Sequence, residues 1–130
     1  MALGIGDRLP SFSLEDQNGD LRTPASVQGR WLVLFFYPKD DTPGCTAEAC
    51  SFRDNAESFA ALDAEVWGIS GDDAVSHRRF ASRHNLTFPL LCDRNNALRR
   101  EMGVPKALGL LPGRVCLLYT SDAADDLRCV

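Results

Sequence analysis

The sequence predicts an α/β protein in which a central sheet is flanked by helices. The run Trp31–Tyr37 is continuously apolar, which is typical of a strand buried on both faces. Further along the chain, apolar segments alternate with segments of helical spacing, and this alternation builds layered α/β folds. A length of 130 residues with 45% hydrophobic residues suits one domain with a substantial core.

The first elements surround one turn and one long strand. Residues 12–23 carry alternating apolar residues around Asn18-Gly19, which predicts a short hairpin because this dipeptide accepts the positive φ of such turns. The strand of residues 31–37 follows and ends at Pro38. After a polar loop, the spacing from Cys45 to about Phe59 predicts a helix.

Strands and helices alternate through the rest of the chain. In order, they are strand 64–70, a helix capped by Asp72 or Asp73 that runs to about His84, strand 88–92 with Pro89 at its start or on an edge, a short helix capped by Asn95 or Asn96 that ends at Met102, and strand 114–119. Sites in such sheets lie beyond the carboxyl ends of strands. The loop between Tyr37 and Cys45 is therefore the candidate site.

Composition narrows the expected partners and surroundings. The net charge of -4 and the lack of a Lys/Arg cluster argue against binding to nucleic acid or to an anionic membrane. No apolar run is long enough to span a bilayer, and the first residues do not resemble a signal peptide. Five cysteines without a secretion signal favour a reducing compartment over a disulfide framework, so we expect a cytoplasmic location.

Cys45 is the strongest candidate for a nucleophile. In the first turn of a helix, its sulfur would lie near unpaired N–H groups and the positive end of the helix dipole, which favour thiolate over thiol. Thiolate is the reactive form. The hydroxyl of Thr42 could hydrogen-bond a substrate oxygen, and Gly44 lets backbone approach a ligand closely. The alternative is a buried cysteine that packs as a small apolar residue.

The spacing between Cys45 and Cys50 limits whether they can form a disulfide. On an intact helix, residues five apart have Cα atoms roughly 8.7 Å apart, beyond the approximately 7 Å limit for a disulfide. Either Cys45 and Cys50 never pair, or the helix unwinds locally when they do. The alternative is again a small buried residue.

The segment Phe35–Asp54, with the sequence FFYPKDDTPGCTAEACSFRD, closely resembles the peroxiredoxin Q group, also called bacterioferritin comigratory proteins. Its core P-x-x-x-T-x-x-C is the general peroxiredoxin signature, and the C-x4-C spacing marks this group. Further matches are Gly68-Ile69-Ser70, His77, Phe80 and residues 88–93. The similarity runs from about Ile5 to Arg114.

The resemblance implies a thioredoxin-like fold with a central mixed sheet. It implies a monomeric, thioredoxin-dependent peroxidase that reduces hydrogen peroxide and organic hydroperoxides without cofactor or metal. Thioredoxin or a similar dithiol protein would be the reductant.

The resemblance also assigns roles to five positions. Cys45 would be the peroxidatic cysteine and Cys50 the resolving one. Pro38 would shield the sulfur, Thr42 would orient the peroxide, and Arg114 would stabilise the thiolate. The alternative for Arg114 is an ordinary surface arginine before a strand.

The end of the chain departs from the family pattern. Residues 115–130 do not match it and resemble translated adapter sequence, so we expect a partial domain over 1–114, incomplete at its C-terminus, and a non-family tail over 115–130. An alternative function follows: a non-catalytic thioredoxin-fold fragment inactivated by truncation.

Other residues carry less weight. A thioredoxin-like disulfide reductase is a second alternative, but its usual C-x-x-C is missing. Zinc binding by Cys45, Cys50 and Cys92 with a histidine is not expected, because the spacing does not fit a C-x2-C knuckle and both histidines lie on a separate predicted helix. Cys92 is expected to be structural, Cys116 and Cys129 have no assignable role, His77 and His84 are expected to be solvated or packed, and Asp40 and Asp41 are expected in a solvated loop.

Overall fold

The computed structural model describes residues 12–27, 30–102, 115–120 and 127–129, the last two ranges through their backbone pairing. The strands are β1 (Leu14–Glu15), β2 (Leu21–Arg22), β3 (Trp31–Phe36), β4 (Ala64–Ser70), β5 (Leu90–Cys92), β6 (Val115–Thr120) and β7 (Leu127–Cys129). The α-helices are α1 (Pro43–Asp54), α2 (Ala56–Ala61), α3 (Ala74–His84) and α4 (Ala97–Glu101). Single 3₁₀ turns span Pro24–Val27 and Arg94–Asn96.

The main sheet is mixed and has the strand order β5-β4-β3-β6-β7. β3 pairs in parallel with β4 and antiparallel with β6, and β4 pairs in parallel with β5. The apolar run that starts at Trp31 therefore forms the central strand, as its composition predicts. The carboxyl ends of β3, β4 and β5 meet at one edge, where the candidate loop begins.

Alternate residues of the strands feed two apolar clusters, because successive side chains in a strand point to opposite faces. One cluster contains Leu32, Leu34 and Phe36 of β3, with Trp67 and Ile69 of β4. The other contains Val33, Phe35 and Tyr37, together with Cys45 and Ala49 of α1 and Phe80 of α3. The sheet is thus covered on both sides, and α1 and α3 pack on the same face.

The N-terminal hairpin is confirmed. β1 and β2 pair antiparallel, with Leu14 opposite Arg22. Gly19 has a φ of 82°, the left-handed conformation that its sequence position suggested. Asp16, which is buried, accepts hydrogen bonds from the backbone N–H groups of Asn18 and Asp20 inside the turn.

The helices differ from the prediction at two points. The helix predicted to run to Phe59 breaks at Asn55, where α1 ends and α2 begins. At α4, the predicted caps Asn95 and Asn96 have left-handed backbone, and Asn96 makes no capping bond through its side chain. The buried carboxylate of Asp93 accepts from the N–H groups of Leu98 and Arg99 instead, at 2.8 and 3.0 Å.

The start of α3 resolves a choice that the sequence left open. Asp73 caps this helix and accepts from the N–H of Ser76 at 2.8 Å. Asp72 does not cap it and binds the candidate loop. In the parts of the chain that the structure describes, no helix combines the length and the apolar character needed to cross a membrane.

Candidate active site

Cys45 lies in the first turn of α1, as predicted. Thr42 is the N-cap residue and Pro43 the first residue of the helix, so Cys45 is the third. Proline suits this position, because its missing N–H would have no partner inside the helix. The N–H groups of Gly44 and Cys45 likewise have no acceptor within the helix, which leaves them in front of it near the sulfur.

The thiol of Cys45 is nearly enclosed. The residue is 2% exposed and packs in the apolar cluster on the α1 face, with Ala49 one turn further on. A buried structural cysteine would show the same burial. What separates the two interpretations is the place on the helix, because only a first-turn cysteine faces unpaired N–H groups and the dipole.

Thr42 turns its hydroxyl back to the loop. Its Oγ1 donates to the carbonyl of Lys39 at 3.0 Å and does not cap the helix, while its own carbonyl accepts from the N–H of Thr46 at 2.8 Å. A hydroxyl that donates one bond keeps lone pairs that can accept another. Thr42 and Cys45 are thus neighbours on one helical turn.

Pro38 lies at the other end of the loop and is exposed. Between it and the helix, Asp41 has a φ of 62°, a left-handed backbone that aspartate adopts more readily than most residues. Gly44 is exposed, and no described atom beyond its chain neighbours and its own helix backbone comes within 4 Å of the position a Cβ would take. Among the described residues, no side chain therefore covers the backbone at this end of α1.

Asp40 is buried, so the expectation of a solvated position for it was wrong. The residue is 5% exposed, and its Oδ1 accepts from the Tyr37 hydroxyl at 2.5 Å. Its Oδ2 lies 2.7 Å from Nδ1 of His77 and accepts from Ser76 Oγ at 2.8 Å. Its N–H donates to Oδ2 of Asp72 at 2.8 Å. Local sequence does not indicate this burial, because three of the four partners are more than thirty residues away along the chain.

His77 is fully buried beside Asp40. Its Nε2 lies 2.9 Å from the carbonyl of Leu91, which can only accept, so Nε2 carries a proton. Nδ1 of His77 and Oδ2 of Asp40 are close enough to share one proton. Burial, and then the charge of Asp40, raises the pKa of Tyr37 well above its usual value, so Tyr37 stays a donor.

Asp40, Asp72 and His77 bring possible metal-ligating atoms within 4.8 Å of one another. These atoms already bind each other or neighbouring groups, since Ser70 Oγ donates to Asp72 at 2.7 Å and both nitrogens of His77 have partners. The arrangement is a satisfied hydrogen-bond network.

Cys50 lies on α1 and is partly buried. α1 runs unbroken through Cys45 and Cys50, and both thiols are free. Between them, burial raises the pKa of Glu48, whose Oε2 has no hydrogen-bond partner among the described residues. Because the helix between Cys45 and Cys50 is unbroken, a disulfide between them requires a change in the helix.

The remaining candidate residues lie away from the first turn of α1 or outside the residues that the structure describes. Arg114 falls outside the described residues. Burial raises the pKa of Cys92 to about 11, which suits the structural role predicted for it. Cys116 and Cys129 belong to β6 and β7.

Comparison with known proteins identifies the family. The family model for the AhpC/TSA family matches residues 5–122. The match extends past Arg114 into the predicted tail, and β6 from this segment pairs with β3. The division of the chain at residue 114 stays a prediction.

Curated plant proteins are similar over most of the chain. Peroxiredoxin Q, chloroplastic, from Oryza sativa subsp. japonica and its namesake from Arabidopsis thaliana are each 51% identical over 110 residues. In both cases the alignment covers 84% of this chain and 51% of the relative. The chain thus spans about half the length of the curated relatives it matches.

Solved bacterial structures are similar over nearly the whole chain. Peroxidoxin BcpB from Mycobacterium tuberculosis has a TM-score of 0.80 and 34% identity, covering 98% of this chain and 85% of that one. A cysteine-to-serine mutant of the peroxiredoxin Q of Xylella fastidiosa has a TM-score of 0.83 and 28% identity, covering 99% and 87%. The fold is thioredoxin-like, as the resemblance implied.

The names of the plant relatives contradict the expected cytoplasmic location, because these proteins are called chloroplastic. The cysteine count was a poor guide to the compartment. It separates reducing from oxidising surroundings but does not separate one reducing compartment from another. The family itself is not in doubt: this chain belongs to the AhpC/TSA family and, within it, to the peroxiredoxin Q and bacterioferritin comigratory protein group.

Proposed function

We propose that this protein is a thiol-dependent peroxidase in which Cys45 attacks the peroxide. The supporting observation is the position of Cys45 on the third residue of α1, beyond the carboxyl end of the central strand and one turn from Thr42. This position places the sulfur near the positive end of the helix dipole and leaves N–H groups free to bind an oxygen. Membership of the peroxiredoxin Q group supports the same chemistry.

In the first step, the Cys45 thiolate attacks one oxygen of the hydroperoxide. An S–O bond forms, the O–O bond breaks, and the other oxygen leaves as water or an alcohol after taking a proton. The sulfur becomes a sulfenic acid and the peroxide is reduced by two electrons. Thr42, with lone pairs still free, is the proposed hydrogen-bonding partner of the peroxide, and Pro38 and Arg114 are the proposed shield and thiolate stabiliser.

In the second step, Cys50 attacks the sulfenic sulfur. An S–S bond forms, the S–O bond breaks, and water leaves. Both cysteines lie on α1, and ideal helix geometry places Cα atoms five residues apart at roughly 8.7 Å, so the helix must unwind between them. A dithiol protein of the thioredoxin type then reduces the disulfide by exchange and is itself oxidised. The names of the plant relatives favour a plastid as the site of this cycle.

Peroxide consumption coupled to thioredoxin and its reductase tests the proposal. We expect the wild-type chain to turn over, and Cys45→Ser to be inactive. Cys50→Ser should complete one oxidation, seen as a trapped sulfenic acid, but should not form the intramolecular disulfide. Cys92→Ser is the matched control, because it removes a buried thiol outside the site, and it should retain turnover.

Two results would contradict the proposal. Equal turnover of Cys45→Ser and the wild-type chain would show that another group reacts. A folded wild-type chain that leaves peroxide unconsumed would favour the alternative of a non-catalytic thioredoxin-fold fragment.

A further inference from the structure

The loop that precedes Cys45 is held by a buried carboxylate that the proposed chemistry does not use. Asp40 lies between the end of β3 and the N-cap of α1. Every hydrogen-bonding atom of its side chain is occupied: Oδ1 by the Tyr37 hydroxyl, and Oδ2 by Ser76 Oγ and His77 Nδ1. A buried carboxylate with all its partners in place is rigid, because any shift leaves one of them unpaired at substantial cost.

The partners of Asp40 come from several separate elements. Tyr37 follows β3, Ser76 and His77 lie on α3, and His77 reaches the carbonyl of Leu91 on β5. The backbone of Asp40 adds a bond to Asp72, which follows β4. One residue of the loop is thus fixed to the carboxyl ends of three strands and to the start of the helix that packs beside α1.

The rest of the loop depends on this anchor. Asp41 takes a left-handed backbone directly after it, and the hydroxyl of Thr42 bonds the carbonyl of Lys39 directly before it. The loop therefore closes around Asp40, and Thr42 begins the helix that carries Cys45.

We propose that Asp40 is a positioning residue of the peroxidase site. It fixes the loop so that Thr42 and the sulfur of Cys45 meet the two oxygens of one peroxide. Its partner His77 holds it in place through the contact between Nδ1 and Oδ2. This inference rests on the proposed function and adds a residue that touches neither the peroxide nor the sulfur.

The test compares two reactions of the same sulfur. Alkylation by iodoacetamide requires only the Cys45 thiolate. Reaction with hydrogen peroxide also requires that the Thr42 hydroxyl and the Cys45 sulfur are correctly positioned relative to each other. Both rates are measured on the Cys45 peptide by mass spectrometry in the Cys50→Ser background, with the sulfenic acid trapped by dimedone. We expect Asp40→Ala to lower the peroxide rate about 10- to 100-fold, as a displacement of about 1 Å can do, and the iodoacetamide rate less than about threefold.

Two matched variants sharpen the comparison. Asp40→Asn keeps an acceptor for Tyr37 and gains a donor for Nδ1 of His77, so both rates should stay within about threefold of wild type. Asp93→Ala also removes a buried carboxylate that accepts two backbone bonds, but at α4. It should lower stability and leave the ratio of the two rates unchanged.

Tyr37→Phe covers the case in which Asp40→Ala does not fold. It removes one donor to Asp40 and keeps the ring, which stacks on Phe35 with centroids 5.1 Å apart. We expect the ratio of peroxide to iodoacetamide rates to fall by about three- to tenfold, since an unpaired carboxylate oxygen loosens the anchor.

Each possible result either supports or overturns the role proposed for Asp40. An unchanged ratio in a folded Asp40→Ala, or in Tyr37→Phe when Asp40→Ala does not fold, overturns the proposal. So does an equal fall of both rates, or an Asp40→Asn as impaired as Asp40→Ala. If the parent Cys50→Ser chain itself is not oxidised at Cys45, the proposed function fails, which is a different result from a failure of the anchor.

Discussion

The guanidinium of Arg53 donates a hydrogen bond to the main-chain carbonyl of His84, with 2.6 Å between Nη1 and the oxygen. Arg53 lies in the last turn of α1, and His84 is the last residue of α3, where carbonyls have no partner within the helix. At the other end of α1, Oδ1 of Asp41 lies 3.3 Å from Nε2 of His84. One residue therefore contacts both ends of the stretch that contains Cys45 and Cys50.

This relationship predicts how fast the disulfide forms. For the proposed disulfide to form, the helix must unwind between the two cysteines, and the Arg53 bond stabilises the wound state. Arg53→Gln should therefore speed disulfide formation roughly fivefold, as expected for the loss of a bond of about 1 kcal/mol. The first oxidation of Cys45 should keep its rate. The measurement is the loss of free thiols with time after one equivalent of peroxide.

Arg79→Gln is the control, because Arg79 is an exposed arginine on α3. It should leave both steps unchanged. Disulfide formation that is equally fast or slower in Arg53→Gln would show that this bond does not restrain the helix.

Gly44 leads to a second prediction. Its φ is not positive, and no described atom beyond its chain neighbours and its own helix backbone lies within 4 Å of the position a Cβ would take, so nothing in the described fold requires glycine. Gly44→Ala should fold with equal or greater stability, because alanine favours helix by up to about 1 kcal/mol. If the open space admits the peroxide, oxidation should slow about tenfold with cumene hydroperoxide, equivalent to about 1.4 kcal/mol, and less with hydrogen peroxide.

Stopped-flow oxidation together with a thermal melt would measure both effects. A variant as fast as wild type with both peroxides would mean that the substrate does not approach past Gly44.

The core of the sheet was predictable from the sequence because burial on both faces leaves a signal in local composition. The bounds of β4 agree with the prediction, and β3 falls within the apolar run that starts at Trp31. The first-turn position of Cys45 was also predictable, since Pro38 ends the strand and Pro43 suits the start of a helix.

The anchor at Asp40 was not predictable, because its partners on α3 are fixed by the packing of the helix on the sheet. Two adjacent acids in a polar loop give the same local pattern whether they are buried or solvated. The break at Asn55 was not predictable either. The apolar spacing continues through it to Phe59, which still packs against the core.

Cys92 provides a prediction with a defined pH dependence. Burial, and then the charges of Glu15 and Asp73, raise its pKa from 9.0 to about 11. At pH 8 the native thiol should react with iodoacetamide far more slowly than the partly exposed Cys50, and denaturant should remove the difference. Peptide-level mass spectrometry after timed alkylation checks this.

The stability of the fold should respond to the same shift. Between about pH 9 and pH 11 the unfolded chain loses the Cys92 proton while the folded chain keeps it, so the free energy of unfolding falls as the pH rises. Cys92→Ala should lack this part of the fall. Rapid labelling of native Cys92 at pH 8 would contradict the assignment.

Gly68 lies where even a single added methyl group should destabilise the fold. A Cβ on this residue of β4 would lie 2.8 Å from Cδ2 of Leu90 and 3.2 Å from Cε1 of Tyr37. Leu90 is fully buried and Tyr37 nearly so, which leaves little room to relax, so Gly68→Ala should lower the free energy of unfolding by about 1–3 kcal/mol. Gly71→Ala is the matched control, because the nearest atoms to its Cβ would belong to the side chain of Asn96, which is not fully buried and can move. Urea unfolding measures both variants.

The same substitution should also affect the reaction of Cys45 with peroxide. Tyr37 donates a hydrogen bond to Asp40, so a displaced Tyr37 ring should slow this reaction. A destabilised Gly68→Ala with an unchanged peroxide rate would show that packing at β4 does not influence the geometry of the site.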